Sequence, residues 1–201
     1  MTANRAILTS CLVLGLLSVS PTARAAIEQL PPAPAGFSWR EFKAIHGALL
    51  VPDGWFVREE IGGGMRALFI SKESTERGGR FRTGLTVNVF SVAKPSAFAG
   101  QMMAQETAQA NQSWGIGPIH SGDGVQGFFR AAVPEYTLIK SVLILWNGAT
   151  GTVYYCIFEA PEADWGKPGS LFDHQQPETM QGGIYRIGAI IFSHLWIDPA
   201  F

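Results

Sequence analysis

Cysteine is almost absent from this 201-residue chain. Of its two cysteines, Cys11 lies in an N-terminal leader predicted to be removed, which leaves Cys156 alone. A single cysteine forms no internal disulfide, so a disulfide scaffold is excluded and stability must come from an apolar core. Cys156 lies in the apolar run 153–158 with no basic residue near it in the sequence. This setting predicts a buried, unreactive thiol.

Charge is also sparse. Only 15% of the residues are charged while 47% are hydrophobic, a composition typical of a folded globular protein. Removal of Arg5 and Arg24 with the leader takes the formal net charge from −1 to −3. Because a slightly acidic surface offers no electrostatic attraction to phosphate backbones, we expect no nucleic-acid partner.

The sequence lacks the signatures of several large enzyme classes. It contains no G-x-S-x-G nucleophile elbow, no phosphate-binding P-loop and no H-E-x-x-H zinc motif. No histidine lies three or four residues from another, so the sequence offers no pair of neighbouring histidines that could begin a metal site. The sequence therefore predicts no metal, no cofactor and no enzymatic activity.

The first 25 residues have the features of a secretory signal peptide. Arg5 is followed by the uncharged apolar run 6–19, and Ala23-Arg24-Ala25 resembles a cleavage site. An uncleaved membrane anchor is the alternative, but spanning about 30 Å of hydrocarbon needs about 20 apolar residues. Cys11 lies inside the apolar run, which argues against lipidation. We therefore expect cleavage before Ala26, no transmembrane segment afterwards, and a periplasmic or secreted protein.

The rest of the chain predicts one domain. A Pro-rich leader occupies residues 26–36, and a single α+β domain is expected over 37–201. The most regular pattern is a hairpin of two β-rich runs, 136–146 and 152–158, joined by a turn that contains two glycines. Further strands are expected over 44–52, from Trp55, over 66–71, over 84–91 and, as two short strands, over 119–133.

Two helices are predicted. The first begins at Pro95 and Ser96, with the serine as its cap, and runs to about Asn111. The second covers 184–197, where apolar residues recur at helical spacing, and Asp198-Pro199 ends it. Between the hairpin and this helix, residues 159–183 form a loop that is long for a compact domain.

Candidate binding residues lie in the two polar, turn-rich segments that core packing does not explain. In the segment 72–83, Arg80 and Arg82 could hold an anionic ligand or partner. In the segment 159–183, Trp165 could serve as an exposed apolar anchor for a partner. The alternatives are a solvated loop for the arginines and core filling for the tryptophan.

Several segments together resemble a known fold. They are the strand and turn ALLVPDGW, the strand TGLTVNVF with the helix after it, the hairpin YTLIKSVLILWNGATGTVYYCIF and the segment EAPEADW. Their order is similar to that of the PsbP-like and Mog-like fold family, which includes exported bacterial members. The resemblance implies a central antiparallel sheet with helices packed on it, an α/β/α sandwich, and a non-enzymatic binding or accessory role. It transfers no functional residue, and the insert 166–183 departs from the pattern.

Three functions are then open. The first is an exported, non-enzymatic binding or accessory module that docks a protein partner or the cell envelope. The second is a carrier that holds a small ligand in a cleft under the 159–183 loop. The third is an enzyme without a recognised motif. An enclosed apolar cavity would favour a ligand, whereas a flat exposed aromatic patch would favour a protein partner.

Overall fold

Alternation of apolar and polar residues produces a structure dominated by strands. The computed structural model describes residues 30–76, 79–119, 122–165, 184–198 and 200. The predicted signal peptide 1–25, the start of the Pro-rich leader and the insert 166–183 lie outside the described residues. The described strands are β1 (Phe37–Phe42), β2 (Gly47–Pro52), β3 (Phe56–Gly62), β4 (Met65–Ser71), β5 (Gly84–Ser91), β6 (Gln112–Pro118), β7 (Gly124–Val133), β8 (Tyr136–Asn147), β9 (Thr152–Pro161) and β10 (Trp196–Ile197).

The described helices are α1 (Pro95–Gln109), the single turn α2 (Glu162–Trp165) and α3 (Ile184–Ser193). Pro95 occupies the first turn of α1, as predicted, because its missing N–H is not needed there. The expected serine cap is wrong. Lys94 is the N-cap residue, and its side chain makes no capping hydrogen bond.

A seven-stranded antiparallel sheet forms the centre of the described chain, with the strand order β3-β4-β5-β9-β8-β7-β6. The predicted hairpin is confirmed as β8 and β9, which pair from Asn147↔Thr152 to Leu138↔Pro161. A smaller sheet has the order β1-β2-β10. From Pro32 onward the described residues form one compact unit.

The two faces of the large sheet carry separate apolar clusters because successive side chains of a strand point to opposite sides. On β9, Tyr154, Cys156 and Phe158 face a cluster that includes residues of β2 and α3. Val153 and Tyr155 face a second cluster that includes residues of α1. Cys156 is fully buried, as predicted, and burial raises the pKa of its thiol to about 12.

The central antiparallel sheet is confirmed, but the α/β/α sandwich is wrong in one layer. Helix α1 packs on one face, whereas the other face is covered by β1, β2 and β10 together with α2 and α3. The molecule is therefore richer in sheet than the resemblance implied.

Other boundaries also differ from the predictions. Within the predicted range 119–133, Gly124–Val133 form one long strand, β7, where two short strands were expected. The segment 112–118, where glycines and a proline indicated a break, is strand β6. The predicted C-terminal helix is present but ends at Ser193, and the chain continues into β10, which pairs with β2.

Candidate functional site

A cleft lies between the large sheet and helix α3; we call it the sheet–helix cleft. Its volume is about 560 Å³. Strands β7 and β8 form the floor of the cleft. Trp165, the last residue of α2, forms one wall, and α3 together with Leu195 forms the other wall. The lining residues are Ile119, Gln126, Phe128, Ser141, Val142, Leu143, Leu145, Trp165, Gly188, Ala189, Phe192, Ser193 and Leu195.

The register of the hairpin strands produces the floor of this cleft. Phe128 lies opposite Ser141 and Gln126 opposite Leu143, so these four side chains point to the same face of the sheet. In each pair one side chain is polar but uncharged, Ser141 or Gln126, and the other is large and apolar, Phe128 or Leu143. The floor can therefore bury an apolar body while offering an amide and a hydroxyl for hydrogen bonds.

A glycine sets the close approach of α3 to the sheet. A Cβ placed on Gly188 would lie 2.6 Å from Cδ1 of Phe158, so no other residue fits there without moving the ring. Phe158 in turn packs edge-on against Phe192 at a centroid distance of 6.5 Å. The helix is thus held against one part of the sheet, and the cleft opens beside this contact.

Trp165 is a wall of the cleft and not an exposed anchor. It is 2% exposed, and its indole Nε1–H donates a 3.0 Å hydrogen bond to the carbonyl of Ala160. Its ring meets Phe158 edge-on at 5.8 Å. The expected exposure is wrong because α2 turns this side chain back onto the sheet, where Arg130 and Glu162 form a 2.8 Å ion pair that links α2 to β7.

The two candidate arginines lie on the surface and already have intramolecular contacts. Arg80 forms an ion pair with Glu135, which raises the pKa of the Arg80 guanidinium, and its side chain is 72% exposed. Arg82 lies over the ring of Tyr136 at 5.0 Å. Glu135 lies in the β7–β8 turn, and Tyr136 is the first residue of β8. The structure therefore places the arginines together on the surface but leaves Trp165 in the interior.

One serine–histidine contact borders the cleft, and its geometry does not suit nucleophilic catalysis. Ser193 Oγ lies 2.9 Å from Nδ1 of His194, but the same nitrogen is 2.9 Å from the carbonyl oxygen of Ile190. A carbonyl oxygen only accepts, so in the tautomer that bonds to Ile190 the Nδ1 atom carries the proton and cannot remove one from the serine. The serine hydroxyl itself lies 3.1 Å from the carbonyl of Ile190.

A polar cluster that the sequence did not reveal anchors α1 to the sheet. Glu106, on α1, accepts hydrogen bonds from the Tyr155 hydroxyl and, at 3.2 Å, from Lys140 Nζ. Glu159 lies directly across from Lys140 on the neighbouring strand. Burial raises the pKa of Glu159, an effect that Lys140 opposes and Glu106 reinforces. Glu106, Tyr155 and Lys140 satisfy one another, so we assign the cluster a structural role.

The sequence also contains, at Gly122, Gly124 and Gly127, the G-x-G-x-x-G spacing of a dinucleotide fingerprint. The structure places it in the turn before β7 and in that strand itself. A phosphate-binding loop of this kind needs a strand followed by a helix N-terminus. The spacing is therefore coincidental here.

In the part of the chain that the structure describes, no three His, Cys, Asp or Glu side chains come together in a way that could hold a metal ion. Within the same residues, no helix is long and apolar enough to cross a membrane.

Neither a family model nor a curated protein matches this chain. Among solved structures, it is similar to the Saccharomyces cerevisiae Ran-binding protein Mog1p and to a mutant of protein Mog1. In both comparisons the identity is 11%, the TM-score is 0.47, and the match covers 79% of this chain and 94% of the other. Values of this size do not place the chain in a family and carry no inference about its ligand.

Proposed function

We propose that this protein is an exported, non-enzymatic binding module that holds a small apolar ligand in the sheet–helix cleft. The observation that carries the proposal is the cleft itself. Its volume of about 560 Å³ lies within the usual range of small-molecule sites, about 300–1,000 Å³. Its lining is mainly aliphatic and aromatic, with a few neutral polar groups, which is also typical of such sites.

The lining also indicates the chemistry of the ligand. Among the described residues, Gln126, Ser141 and Ser193 are the lining residues with neutral polar side chains, and no charged residue lines the cleft. A neutral head that donates and accepts hydrogen bonds would match them, and an apolar body would pack against Phe128 and Leu143. A charged head would lose its hydration without gaining an opposite charge among these lining groups.

The test uses N-phenylnaphthylamine, a neutral apolar dye that fluoresces when it leaves water. We expect saturable binding to the purified protein. Ala189→Trp should weaken this binding at least about tenfold, because the new ring fills the cleft and Ala189 is an exposed residue of α3. The matched control is Ala97→Trp, at an exposed residue of α1 that does not line the cleft. Absence of saturable binding, or equal binding by both variants, would contradict the proposal.

Docking of an envelope protein is the second candidate function. It is favoured by the exposure of Arg80 and Arg82, which lie together against Glu135 and Tyr136. Such a docking site predicts that Arg80→Ala with Arg82→Ala abolishes retention of a partner on a column of the protein. Lys94→Ala, at an exposed position beside α1, should leave that retention unchanged.

A further inference from the structure

One end of the large sheet is formed by strand β3. Among the described strands, β3 pairs only with β4, so its other side presents backbone N–H and C=O groups that a further strand could bind. Three large apolar side chains on this hairpin are also exposed: Phe56 by 47%, Ile61 by 58% and Met65 by 54%. An edge with both properties is a template for strand addition.

The hairpin turn determines which backbone groups of β3 point outward. Gly63 and Gly64 both have positive φ, at 58° and 80°, so they form a two-residue turn of type I′ between Gly62 and Met65. The pair that closes such a turn exchanges hydrogen bonds. Alternation along the strand then leaves the N–H and C=O groups of Val57, Glu59 and Ile61 directed away from β4.

The order of side chains along β3 is self-complementary. If a second copy of β3 pairs antiparallel about a two-fold axis at Glu59, every residue from Phe56 to Gly62 has a partner. Arg58 then lies opposite Glu60 of the other copy, and Val57 lies opposite Ile61 of the other copy. A shift by two residues in either direction shortens the overlap and opposes Arg58 with Arg58 or Glu60 with Glu60, and like charges directly opposite one another are unfavourable.

Contacts within one chain already hold the charged side chains in suitable positions. Arg58 lies over the ring of Phe69 at 4.6 Å and forms a 3.2 Å ion pair with Glu60. In the dimer, Arg58 and Glu60 of both copies would therefore form one group of four side chains with alternating positive and negative charge. Glu59, which would meet its own copy at the axis, is turned toward its own chain, where its Oε2 accepts a 2.8 Å hydrogen bond from the N–H of Ala44.

We propose that β3 is a homodimer interface at which two copies of this chain join their large sheets edge to edge through antiparallel β3 strands. The proposal is independent of the ligand in the sheet–helix cleft, because that cleft lies over β7 and β8, several strands away from β3. Edge pairing would bury the exposed Ile61 against Val57 of the other copy, and Phe56 would cover Gly62 of the other copy.

The experiment is a charge-complementation test by analytical ultracentrifugation. The wild-type protein should sediment as a dimer, whereas Arg58→Glu and Glu60→Arg should each raise the dimer dissociation constant about tenfold or more through like-charge opposition. An equimolar mixture of the two variants should form a heterodimer, because the two acidic side chains of one variant then lie opposite the two basic side chains of the other. Recovery in the mixture also shows that both variants are folded.

The control is Lys94→Glu, a charge reversal at an exposed position outside β3, which should leave the dimer intact. The proposal is overturned if the wild-type protein is a monomer, or if a dimer persists in both single variants. It is equally overturned if the variants dissociate but their mixture does not form a heterodimer.

Discussion

At the scale of single residues, burial decides which side chains matter for stability. Trp165 and Arg80 both lie in polar segments of the sequence. Trp165 is nevertheless only 2% exposed, whereas the side chain of Arg80 is 72% exposed. The difference arises because the helical turn α2 folds Trp165 under the sheet. The sequence shows that Trp165 has polar neighbours along the chain. It does not show whether the helical turn directs the Trp165 side chain towards solvent or towards the sheet.

Replacing Trp165 should therefore affect stability far more than replacing the arginines. Trp165→Ala removes a buried ring and leaves the carbonyl of Ala160 without its donor, so we expect a loss of about 3–5 kcal/mol in the free energy of unfolding. Arg80→Ala and Arg82→Ala should each leave it nearly unchanged, because exposed surface side chains contribute little to stability. Urea unfolding of the three variants measures this, and equal losses would show that Trp165 is not a core residue.

Glu159 should make stability depend on pH. Burial raises its folded-state pKa above the ordinary value of 4.5, so the folded chain binds this proton more tightly than the unfolded chain does. The resulting stabilisation is complete below pH 4.5 and is lost as the pH rises through the raised pKa. Glu159→Gln should remove this loss, so the variant should gain stability relative to the wild-type protein between acidic and neutral pH.

Urea unfolding of both proteins over a series of pH values tests this expectation. The control is Glu41→Gln, which removes an exposed carboxylate from β1. If the free energies of unfolding of the wild-type protein and Glu159→Gln change in parallel from pH 4 to neutrality, folding does not change the pKa of Glu159, and the expectation is wrong.

At the scale of elements, the sequence predicts those strands whose pattern is local. Strand β5 alternates regularly, the β8–β9 hairpin consists of two β-rich runs joined by a short turn, and both are found where expected. The sequence does not predict strand β6, because Gly115, Gly117 and Pro118 are typical of a break between secondary-structure elements. Its pairing with β7 shifts register between Trp114 and Gly117, and Gly115 takes a positive φ of 62°. An irregular edge strand of this kind is specified by its neighbour and not by its own composition.

Helix α3 offers a test of how closely an element must approach the sheet. Gly188→Ala would raise helix propensity but place a methyl group 2.6 Å from Phe158, whose ring is confined by Trp55 and Phe192. We expect a net loss of about 1–3 kcal/mol. Gly100→Ala in α1 is the matched control, because its new Cβ meets nothing within 4 Å and should stabilise the protein by about 0.5–1 kcal/mol.

Chemical denaturation of both glycine variants gives the two values. If Gly188→Ala were as stabilising as Gly100→Ala, the helix would be free to move away from the sheet. The cleft beside it would then have no fixed width.

At the scale of the whole molecule, the cleft could not be predicted because its residues come together only through tertiary packing. Phe128 and Leu143 lie on strands whose existence was predicted, but the helix that faces them is separated from the hairpin by the insert 166–183. Of the candidate residues, only Trp165 belongs to the cleft. The sequence predicts a ligand cleft under the 159–183 loop, whereas the described lining of the cleft consists mainly of a sheet face together with residues of α2 and α3.

The two apolar clusters lie on opposite faces of one sheet, so the molecule should unfold as a single cooperative unit. Ile191→Ala removes fully buried atoms on one face, and Met103→Ala removes atoms of a 5% exposed side chain on the other. Each should cost about 2–5 kcal/mol. In either variant, tryptophan fluorescence and far-ultraviolet circular dichroism should shift to the same new midpoint, because strands such as β9 contribute side chains to both clusters. Separate midpoints for the two signals would show that one face can lose its packing while the sheet persists.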